Sequence, residues 1–239
     1  MLLIYFFWTF LKENVDSDNA VLKIDFKNAF NLIDRKCVLD VITEKFPDAF
    51  PFIFQAYGTP SFLSFGCNTI LSQRGVQQGD PLGPLLFSLI IHPLISSLST
   101  KFNAWYLDDG TLAGSPSSIA KDLQIIVNKC EDIGLQLNFS KCEFFHCGSE
   151  KNAIEAHEKI IAIDPSIKIF PINMLSLFGS PIHNDLIPNA ISDKIKILSI
   201  MQTRLTFLSA HYALFFIKKC YLNSQAKLFV TLLSMLEIS

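Results

Sequence analysis

Two acidic motifs lie far apart in the chain, and each follows an apolar run that is typical of a β-strand. Asp25 stands in Leu-Lys-Ile-Asp-Phe, and Asp108 and Asp109 stand in Trp-Tyr-Leu-Asp-Asp-Gly. Clustered carboxylates repel one another unless cations lie between them, and Mg²⁺ is commonly held by one or two carboxylates together with substrate phosphates. If two strands bring these carboxylates together, they predict a two-metal site for nucleotidyl transfer.

The segments around these aspartates have the patterns of the elements that must position them. Leu22, Ile24 and Phe26 alternate with other residues, which predicts a half-buried strand with Asp25 on the opposite face. Residues 103–107 and 111–113 flank Asp-Asp-Gly, and an Asp-Gly pair between two apolar runs is a strong hairpin signal. We therefore expect a hairpin whose tip presents both Asp108 and Asp109.

The rest of the chain alternates between helical and extended patterns. Asp80, which is followed by proline, predicts the start of a helix over residues 81–98. Ser117 or Ser118 can cap another helix that ends at Gly134. Further helices are predicted at 36–46, 50–57, 153–161 and 191–238, and further strands at 61–65, 69–71, 135–145 and 175–182. This order suits an antiparallel sheet that helices cover on one face.

Two further blocks contain residue types suited to ligand binding. Residues 75–83 read Gly-Val-Gln-Gln-Gly-Asp-Pro-Leu-Gly, in which glycines let the backbone approach a ligand and Gln78 offers an amide. Residues 134–143 read Gly-Leu-Gln-Leu-Asn-Phe-Ser-Lys-Cys-Glu and contain Lys141. A turn before a buried helix also explains the first block, and a surface lysine also explains the second.

The order and the amino-acid sequences of these blocks resemble those of the reverse transcriptase family, in particular the polymerase domains of non-LTR retrotransposons, over residues 11–180. The resemblance implies an α+β fold, with a ferredoxin-like polymerase palm at 20–182 and a partial helical thumb at 183–239. Residues 1–19 would be a truncated N-terminal segment, with the fingers largely missing. The implied activity is that of an RNA-directed DNA polymerase, which extends a DNA primer on an RNA template with deoxynucleoside triphosphates and two Mg²⁺ ions, or with Mn²⁺.

The same resemblance implies roles for individual residues. The ring of Phe30 would lie under the incoming sugar and exclude a 2′-hydroxyl, and Lys141 would protonate the leaving pyrophosphate as a general acid. Gln78 and Gly79 would contact the nucleotide. The remaining implied roles are those of the metal ligands Asp25, Asp108, Asp109 and the carbonyl of Phe26, which also borders the nucleotide, and of the primer grip, Phe178 and Gly179.

Composition narrows the class of protein. Half of the 239 residues are hydrophobic, and the six cysteines lack a disulfide spacing, so we expect reduced thiols in an intracellular protein, nuclear or cytoplasmic. Cys142, His146 and Cys147 are an alternative zinc ligand set, although no second ligand pair follows. The net charge of −2 is atypical of a nucleic-acid-binding protein, but residues 190–239 hold six basic side chains against two acidic ones.

Three other functions stay open. Residues 81–100 contain no Asp, Glu, Lys or Arg and are long enough to span a bilayer, but Pro84, His92 and Pro93 favour a buried helix, so we predict no membrane association. A catalytically silent, nucleic-acid-binding fragment of a decayed retroelement would bind a primer–template without extending it. An RNA-dependent RNA polymerase would share the metal site but should lack the bulky Phe30. The sequence does not indicate protein partners.

Overall fold

The computed structural model describes residues 2–13, 18–77, 79–147, 150–177, 180–182 and 184–217. The helices in these ranges are α1 (Leu2–Glu13), α2 (Ala29–Leu32), α3 (Arg35–Lys45), α4 (Phe50–Tyr57), α5 (Gly83–Ser96), α6 (Pro116–Cys130), α7 (Glu150–Ile161), α8 (Ile187–Leu205) and α9 (Ala210–Phe216). The strands are β1 (Ala20–Ile24), β2 (Ser61–Phe65), β3 (Asn68–Ser72), β4 (Phe102–Tyr106), β5 (Asp109–Gly114), β6 (Glu143–His146), β7 (Lys168–Pro171), β8 (Ser176–Leu177) and β9 (Ser180–Pro181).

A five-stranded sheet in the order β4-β5-β1-β6-β7 forms the centre of the fold. β1 pairs antiparallel with β5 on one side and with β6 on the other, and β4 pairs antiparallel with β5. Ala20, Val21 and Leu22 are fully buried and Ile24 is nearly so, because a central strand is packed against neighbours on every side. The strand predicted before Asp25 is therefore confirmed.

Helices pack on this sheet through apolar side chains spaced three or four residues apart. α6 lies against β1 and β5, and α5 contacts both α6 and α3. The buried side chains of α5 belong to the same apolar cluster as those of β1, and they include Leu86, Phe87, Ile90, Ile91 and Leu94. The predicted α+β class, with helices covering a sheet, is confirmed, and the uncharged run after Asp80 forms a largely buried helix.

α5 begins at Gly83 and not directly after Asp80, as the sequence had predicted. Residues 80–82 form a turn in which the Asp80 carboxylate accepts the N–H of Leu82 at 2.9 Å. The second oxygen of this carboxylate accepts the hydroxyl of Tyr57. Asp80 therefore joins two helices, which explains why its carboxylate precedes α5 by a turn.

α6 begins at Pro116 with Ser115 as its N-cap, so the prediction that Ser117 or Ser118 caps this helix was wrong. The N–H of Ser118 donates to the Ser115 hydroxyl at 3.2 Å, as expected of an N-cap. Proline fits the first helical position because its missing N–H would have no partner there. The predicted end at Gly134 is confirmed: after a 3₁₀ turn this glycine has φ 80°.

The hairpin β4–β5 turns at Leu107 and Asp108, and Asp109 is already the first residue of β5. The prediction that an Asp-Gly turn presents both aspartates was therefore wrong for Asp109. Leu107 has φ 58°, which provides the positive φ that a two-residue hairpin turn needs. Gly110 lies in the strand, where an added Cβ would be 2.5 Å from the Trp105 ring. That glycine is required by packing and not by the turn.

The extended pattern at 135–145 forms less sheet than predicted. Leu137 makes an isolated antiparallel bridge to Phe26, residues 139–141 form a 3₁₀ turn, and β6 alone joins the sheet. The fifth strand is β7, which the sequence patterns did not identify. It is placed beside β6 by a bond of 3.1 Å from the N–H of Lys168 to the carbonyl preceding β6.

The other predicted elements are largely confirmed. The hairpin at 61–72 forms as β2–β3, and the one at 175–182 forms as β8–β9. α3 and α4 lie close to their predicted positions, and α7 begins before residue 153. The C-terminal helical pattern divides into α8 and α9, and residues 218–239 lie outside the described ranges.

The chain divides into two compact units, residues 16–169 and residues 1–15 with 170–239. The first unit contains the apolar core and the carboxylate motifs. In the second, α8 has no buried side chain. The domain limits predicted from the sequence, at 19 and 182, stay predictions.

The structure bears on two alternatives that the sequence left open, a membrane span and a zinc site. Among the described helices, none combines the length and the apolar character needed to cross a bilayer. Burial raises the pKa of both Cys142 and Cys147 to about 11, so these thiols stay protonated at neutral pH. His146, the third candidate zinc ligand, contacts Asp18 at 2.9 Å. These observations argue against the zinc site. The cysteines that the structure describes are all without a disulfide.

Candidate active site

Asp25 lies where the central strand β1 ends, and hydrogen bonds hold the backbone around it. Its carbonyl accepts the N–H of Asn138 at 2.8 Å, and the N–H of Lys27 donates to the Gln136 carbonyl at 2.8 Å. These bonds fix the peptides on either side of Phe26 and do not use the Phe26 carbonyl. Oδ2 of Asp25 is buried and has no hydrogen-bond partner among the described residues. Such an atom is unfavourable unless a donor or a cation reaches it.

The hairpin β4–β5 brings Asp108 and Asp109 to the end of the sheet where Asp25 lies. Ile24, the last residue of β1, pairs with Gly110, so the aspartate next to each of them lies at the same edge. Burial raises the pKa of Asp109, and the negative charges of Asp108 and Asp25 raise it further, while Lys23 lowers it. Asp108 and Asp25 are therefore close enough to Asp109 for their negative charges to act on its carboxyl.

The carboxylates fit a divalent metal ion by their chemistry. A bound cation would supply the missing partner of Asp25 Oδ2 and would remove the repulsion that raises the pKa of Asp109. In the part of the chain that the structure describes, no group of three His, Cys, Asp or Glu side chains already has the spacing of a complete ligand set. Mg²⁺ does not need such a set, since it takes one or two carboxylates and completes its shell with water and substrate phosphates.

A cavity of about 240 Å³ opens beside Asp25 and Asp109. Four further charged residues line it, namely Lys23, Lys141, Lys168 and Glu143. Lys23 and Glu143 are cross-strand neighbours on β1 and β6 and form an ion pair at 2.6 Å. Lys141, which the family resemblance singled out, thus shares a cavity with two of the carboxylates. Sequence reasoning missed Lys168 because it lies in the strand that had no clear pattern.

Phe30 lies on the short helix α2, and its ring is half-buried. The ring stacks on that of Phe87 with centroids 4.7 Å apart and an angle of 8° between the planes. Phe87 is fully buried in α5, so it gives Phe30 a rigid support. Such a stacked aromatic pair adds about 0.5–1.5 kcal/mol beyond the area that it buries.

The loop that begins at Gly75 packs directly on the backbone of Phe30. The N–H of Val76 donates to the Phe30 carbonyl at 2.8 Å, and that of Gly75 donates to the Ile33 carbonyl at 2.9 Å. Gly75 has φ 75°, and an added Cβ would lie 2.4 Å from the Phe30 carbonyl oxygen. Only glycine satisfies both conditions, so this position has a structural reason for its residue type.

Three side chains hold this loop from the other side, and sequence reasoning missed two of them. Nε of the buried Arg35 donates to the Gly75 carbonyl at 2.9 Å, and its guanidinium lies 5.5 Å from the centroid of the Tyr57 ring. The Tyr57 hydroxyl donates to Asp80 and accepts the N–H of Gln77 at 3.2 Å. Burial and the bond to Asp80 raise the pKa of Tyr57 to about 12. We refer to Arg35, Tyr57 and Asp80 as the loop clamp.

The remaining predicted site residues are placed only in part. Gly79 has φ 89°, and no atom of the residues that the structure describes lies within 4 Å of an added Cβ. Gln78, Phe178 and Gly179 lie outside the described residues. Their predicted contacts with the nucleotide and the primer stay predictions.

Comparison with known proteins found similar sequences and similar solved structures. The chain is 27% identical over 144 residues to the retrotransposable element SLACS 132 kDa protein of Trypanosoma brucei gambiense, an alignment that covers 56% of this chain and 12% of that protein. It is 25% identical over 154 residues to the retrovirus-related Pol polyprotein from type-2 retrotransposable element R2DM of Drosophila melanogaster, covering 51% of this chain and 13% of that one. A structure of apo telomerase from Candida tropicalis matches with a TM-score of 0.48 and 14% identity, covering 60% of this chain and 30% of that one.

The chain therefore spans about an eighth of the length of these two retroelement proteins. A family model described as "Reverse transcriptase (RNA-dependent DNA polymerase)" matches residues 9–210. That range includes both carboxylate motifs, the loop after Gly75 and Lys141. On this match over most of its length, the chain belongs to the reverse transcriptase family.

Proposed function

We propose that this chain is the catalytic core of an RNA-directed DNA polymerase that extends a DNA primer on an RNA template with deoxynucleoside triphosphates. The observation that carries the proposal is the meeting of Asp25, Asp108 and Asp109 at one end of the sheet in a member of this family. Because the chain aligns with a small part of its retroelement relatives, activity of the chain by itself belongs to the proposal.

Asp25 and Asp108 would hold two divalent cations, Mg²⁺ or Mn²⁺, with Asp109 beside them and the carbonyl of Phe26 as a further oxygen ligand. When bound, such ions lower the pKa of a primer 3′-hydroxyl and neutralise the charge that develops on the triphosphate. The chain contributes the fixed positions of the carboxylates, since Asp25 follows a strand paired on both sides and Asp108 sits in a tight hairpin turn.

The other residues around the carboxylates would bind and orient the substrate. Lys141 lines the same cavity as Asp25 and Asp109 and would donate a proton to the leaving pyrophosphate. Phe30 would exclude a 2′-hydroxyl with a ring held by Phe87. We also propose the nucleotide contacts of Gln78 and Gly79 and the primer grip at Phe178 and Gly179, on the family resemblance.

The test is primer extension on an RNA template with deoxynucleotides and Mg²⁺ or Mn²⁺. We expect the purified chain to extend the primer and the Asp108→Ala variant to lose roughly a thousandfold or more of that rate, because the carboxylate charge is required at the metal site. The matched control is Asp40→Ala, which removes an exposed carboxylate from α3 and should keep full activity.

Three results would change the proposal. Extension retained by Asp108→Ala would contradict the assignment of the metal ligands. A folded wild type that binds the primer–template but does not extend it would identify a silent nucleic-acid-binding module. Preference for ribonucleotides over deoxynucleotides would identify an RNA polymerase.

A further inference from the structure

The cavity beside Asp25 is lined by lysines, and the proposed reaction gives a role only to Lys141. Lys23 is neutralised by its ion pair with Glu143. Lys141 and Lys168 line the same cavity, and neither forms an ion pair within the described ranges. Two lysines that form no ion pair with a described residue therefore line the same cavity as Asp25 and Asp109.

Hydrogen bonds fix the backbone positions of Lys141 and Lys168. The N–H of Lys141 donates to the Asn138 carbonyl at 2.8 Å, which closes the 3₁₀ turn before β6. The N–H of Lys168 donates to the carbonyl of Cys142, the residue that follows Lys141. Ile167 is buried while Lys168 is exposed, so strand alternation directs Lys168 away from the core. The two lysine backbones are thus held side by side.

The charges of the cavity are arranged for a ligand with phosphate groups. Carboxylates repel an anion unless cations lie between, and the proposed cations are held by Asp25 and Asp108 with Asp109 beside them. The lysines offer flexible point charges, which bind phosphate oxygens from a range of directions. Lys141 and Lys168 would contact the phosphate groups of a polyphosphate bound in this cavity.

We propose that Lys168 is a phosphate-binding residue that acts together with Lys141 on a polyphosphate in this cavity. The inference rests on the proposed function. It extends that function by assigning a phosphate contact to a lysine of strand β7. The phosphates belong either to the nucleotide and its pyrophosphate product or to the backbone of the primer. Both sources have the same chemistry, and the test separates them.

The first arm measures binding of inorganic tripolyphosphate by calorimetry to the full chain in Mg²⁺ without primer or template, so that cations are available to the carboxylates and no catalysis is involved. We expect Lys168→Ala to weaken binding roughly tenfold, as loss of one charge-assisted contact should, and Lys168→Arg to keep most of it. The matched control is Lys121→Ala, which removes an exposed lysine from α6 and should bind like the wild type. Circular dichroism checks that each variant is folded.

The second arm measures primer–template binding by fluorescence anisotropy over a series of salt concentrations. If Lys168 contacts a primer phosphate, Lys168→Ala should weaken binding and reduce the salt slope by about one. Loss in the first arm identifies the nucleotide phosphates, and loss in the second identifies the primer backbone. Wild-type behaviour of Lys168→Ala in both arms, or a loss equal to that of Lys121→Ala, overturns the proposal. A wild type that fails to extend a primer refutes the proposed function and leaves both binding results valid.

Discussion

The carboxylate of Asp109 is destabilised by its own surroundings. Burial and the charges of Asp108 and Asp25 raise its pKa, and Lys23 opposes them only in part. Asp25 adds a buried oxygen without a partner among the described residues. Both observations have the same explanation. A cation bound between these carboxylates would stabilise them, and without it they are electrostatically unfavourable.

Replacing Asp109→Asn should therefore raise the thermal stability of the metal-free protein. Because the pKa of Asp109 is raised in the folded state, ionising this group costs folding free energy at any pH above that folded value. The cost disappears as the pH falls below the unfolded-state pKa of about 4. We expect a rise in Tm on the order of 1–2 °C at neutral pH, and no rise near pH 3.

Thermal unfolding in EDTA, followed by circular dichroism at both pH values, checks this prediction. Asp40→Asn, at an exposed position, is the control and should leave the Tm unchanged. A neutral-pH Tm for Asp109→Asn at or below that of the wild type would contradict the electrostatic account. Added Mg²⁺ should stabilise the wild type more than the variant.

Phe30→Val should let the chain incorporate ribonucleotides. Removing the ring opens the space under the incoming sugar, and we expect discrimination against ribonucleotides to fall roughly tenfold or more, since a steric exclusion is worth at least 1–3 kcal/mol. Single-nucleotide incorporation with matched deoxy- and ribonucleotides measures the ratio. Phe62→Val, which shortens a phenylalanine that is 77% exposed on β2, should keep wild-type discrimination. Equal ratios in Phe30→Val and the wild type would remove Phe30 from this role.

At the scale of elements, the loop after Gly75 is held by three helices. It bonds to the backbone of α2 and of the residue that follows it through Val76 and Gly75, and the loop clamp holds it from α3 and α4. The ring of Phe30 is fixed in turn by Phe87 on α5. The orientation of Phe30 therefore depends on residues that do not reach the proposed substrate.

Tyr57→Phe tests this dependence, since it removes one hydroxyl and leaves the ring. The N–H of Gln77 loses its acceptor and Asp80 loses a donor. We expect amides between residues 74 and 82 to exchange with solvent roughly tenfold faster or more, because a hydrogen bond to a charged group contributes about 1.5–3 kcal/mol. Hydrogen exchange read by mass spectrometry measures it.

The matched control for this experiment is Tyr212→Phe, whose side chain is 63% exposed on α9. Its exchange in residues 74–82 should equal that of the wild type. If Tyr57→Phe also gives wild-type exchange there, the loop is held by its backbone bonds alone. In an active protein, a loosened loop should raise the KM for the nucleotide more than it lowers kcat.

At the scale of the whole molecule, the candidate site collects residues from four segments of one compact unit. Asp25 follows β1, Asp108 and Asp109 belong to the hairpin β4–β5, Lys141 precedes β6, and Lys168 begins β7. The family match over residues 9–210 includes all of them. A sheet whose middle strand ends at the site can bring together residues that are distant in sequence, because each neighbouring strand contributes the residues at its end.

Local patterns in the sequence determined the elements and the family. The alternation at Leu22, Ile24 and Phe26 predicted β1, the apolar spacing after Asp80 predicted α5, and the order of the motifs identified the reverse transcriptase family. Each of these signals is carried by residues close in sequence, where periodicity and capping chemistry act. Element ends were predicted less well. The hairpin turn lies at Leu107 and Asp108 and not at the Asp-Gly pair, and Gly110 instead lies in β5 opposite Trp105, a contact between two strands.

Only the tertiary structure decided which charged side chains meet. Nothing in the spacing of Arg35, Tyr57 and Asp80 indicates a clamp, and nothing near Lys168 indicates a place beside Asp25 and Lys141. Hydrophobic burial, which sequence patterns report well, fixes how the strands and helices pack. The raised pKa of Asp109 and the cavity lined by three lysines follow from that packing, because charges separated along the chain interact only after the fold has brought them within a few ångströms.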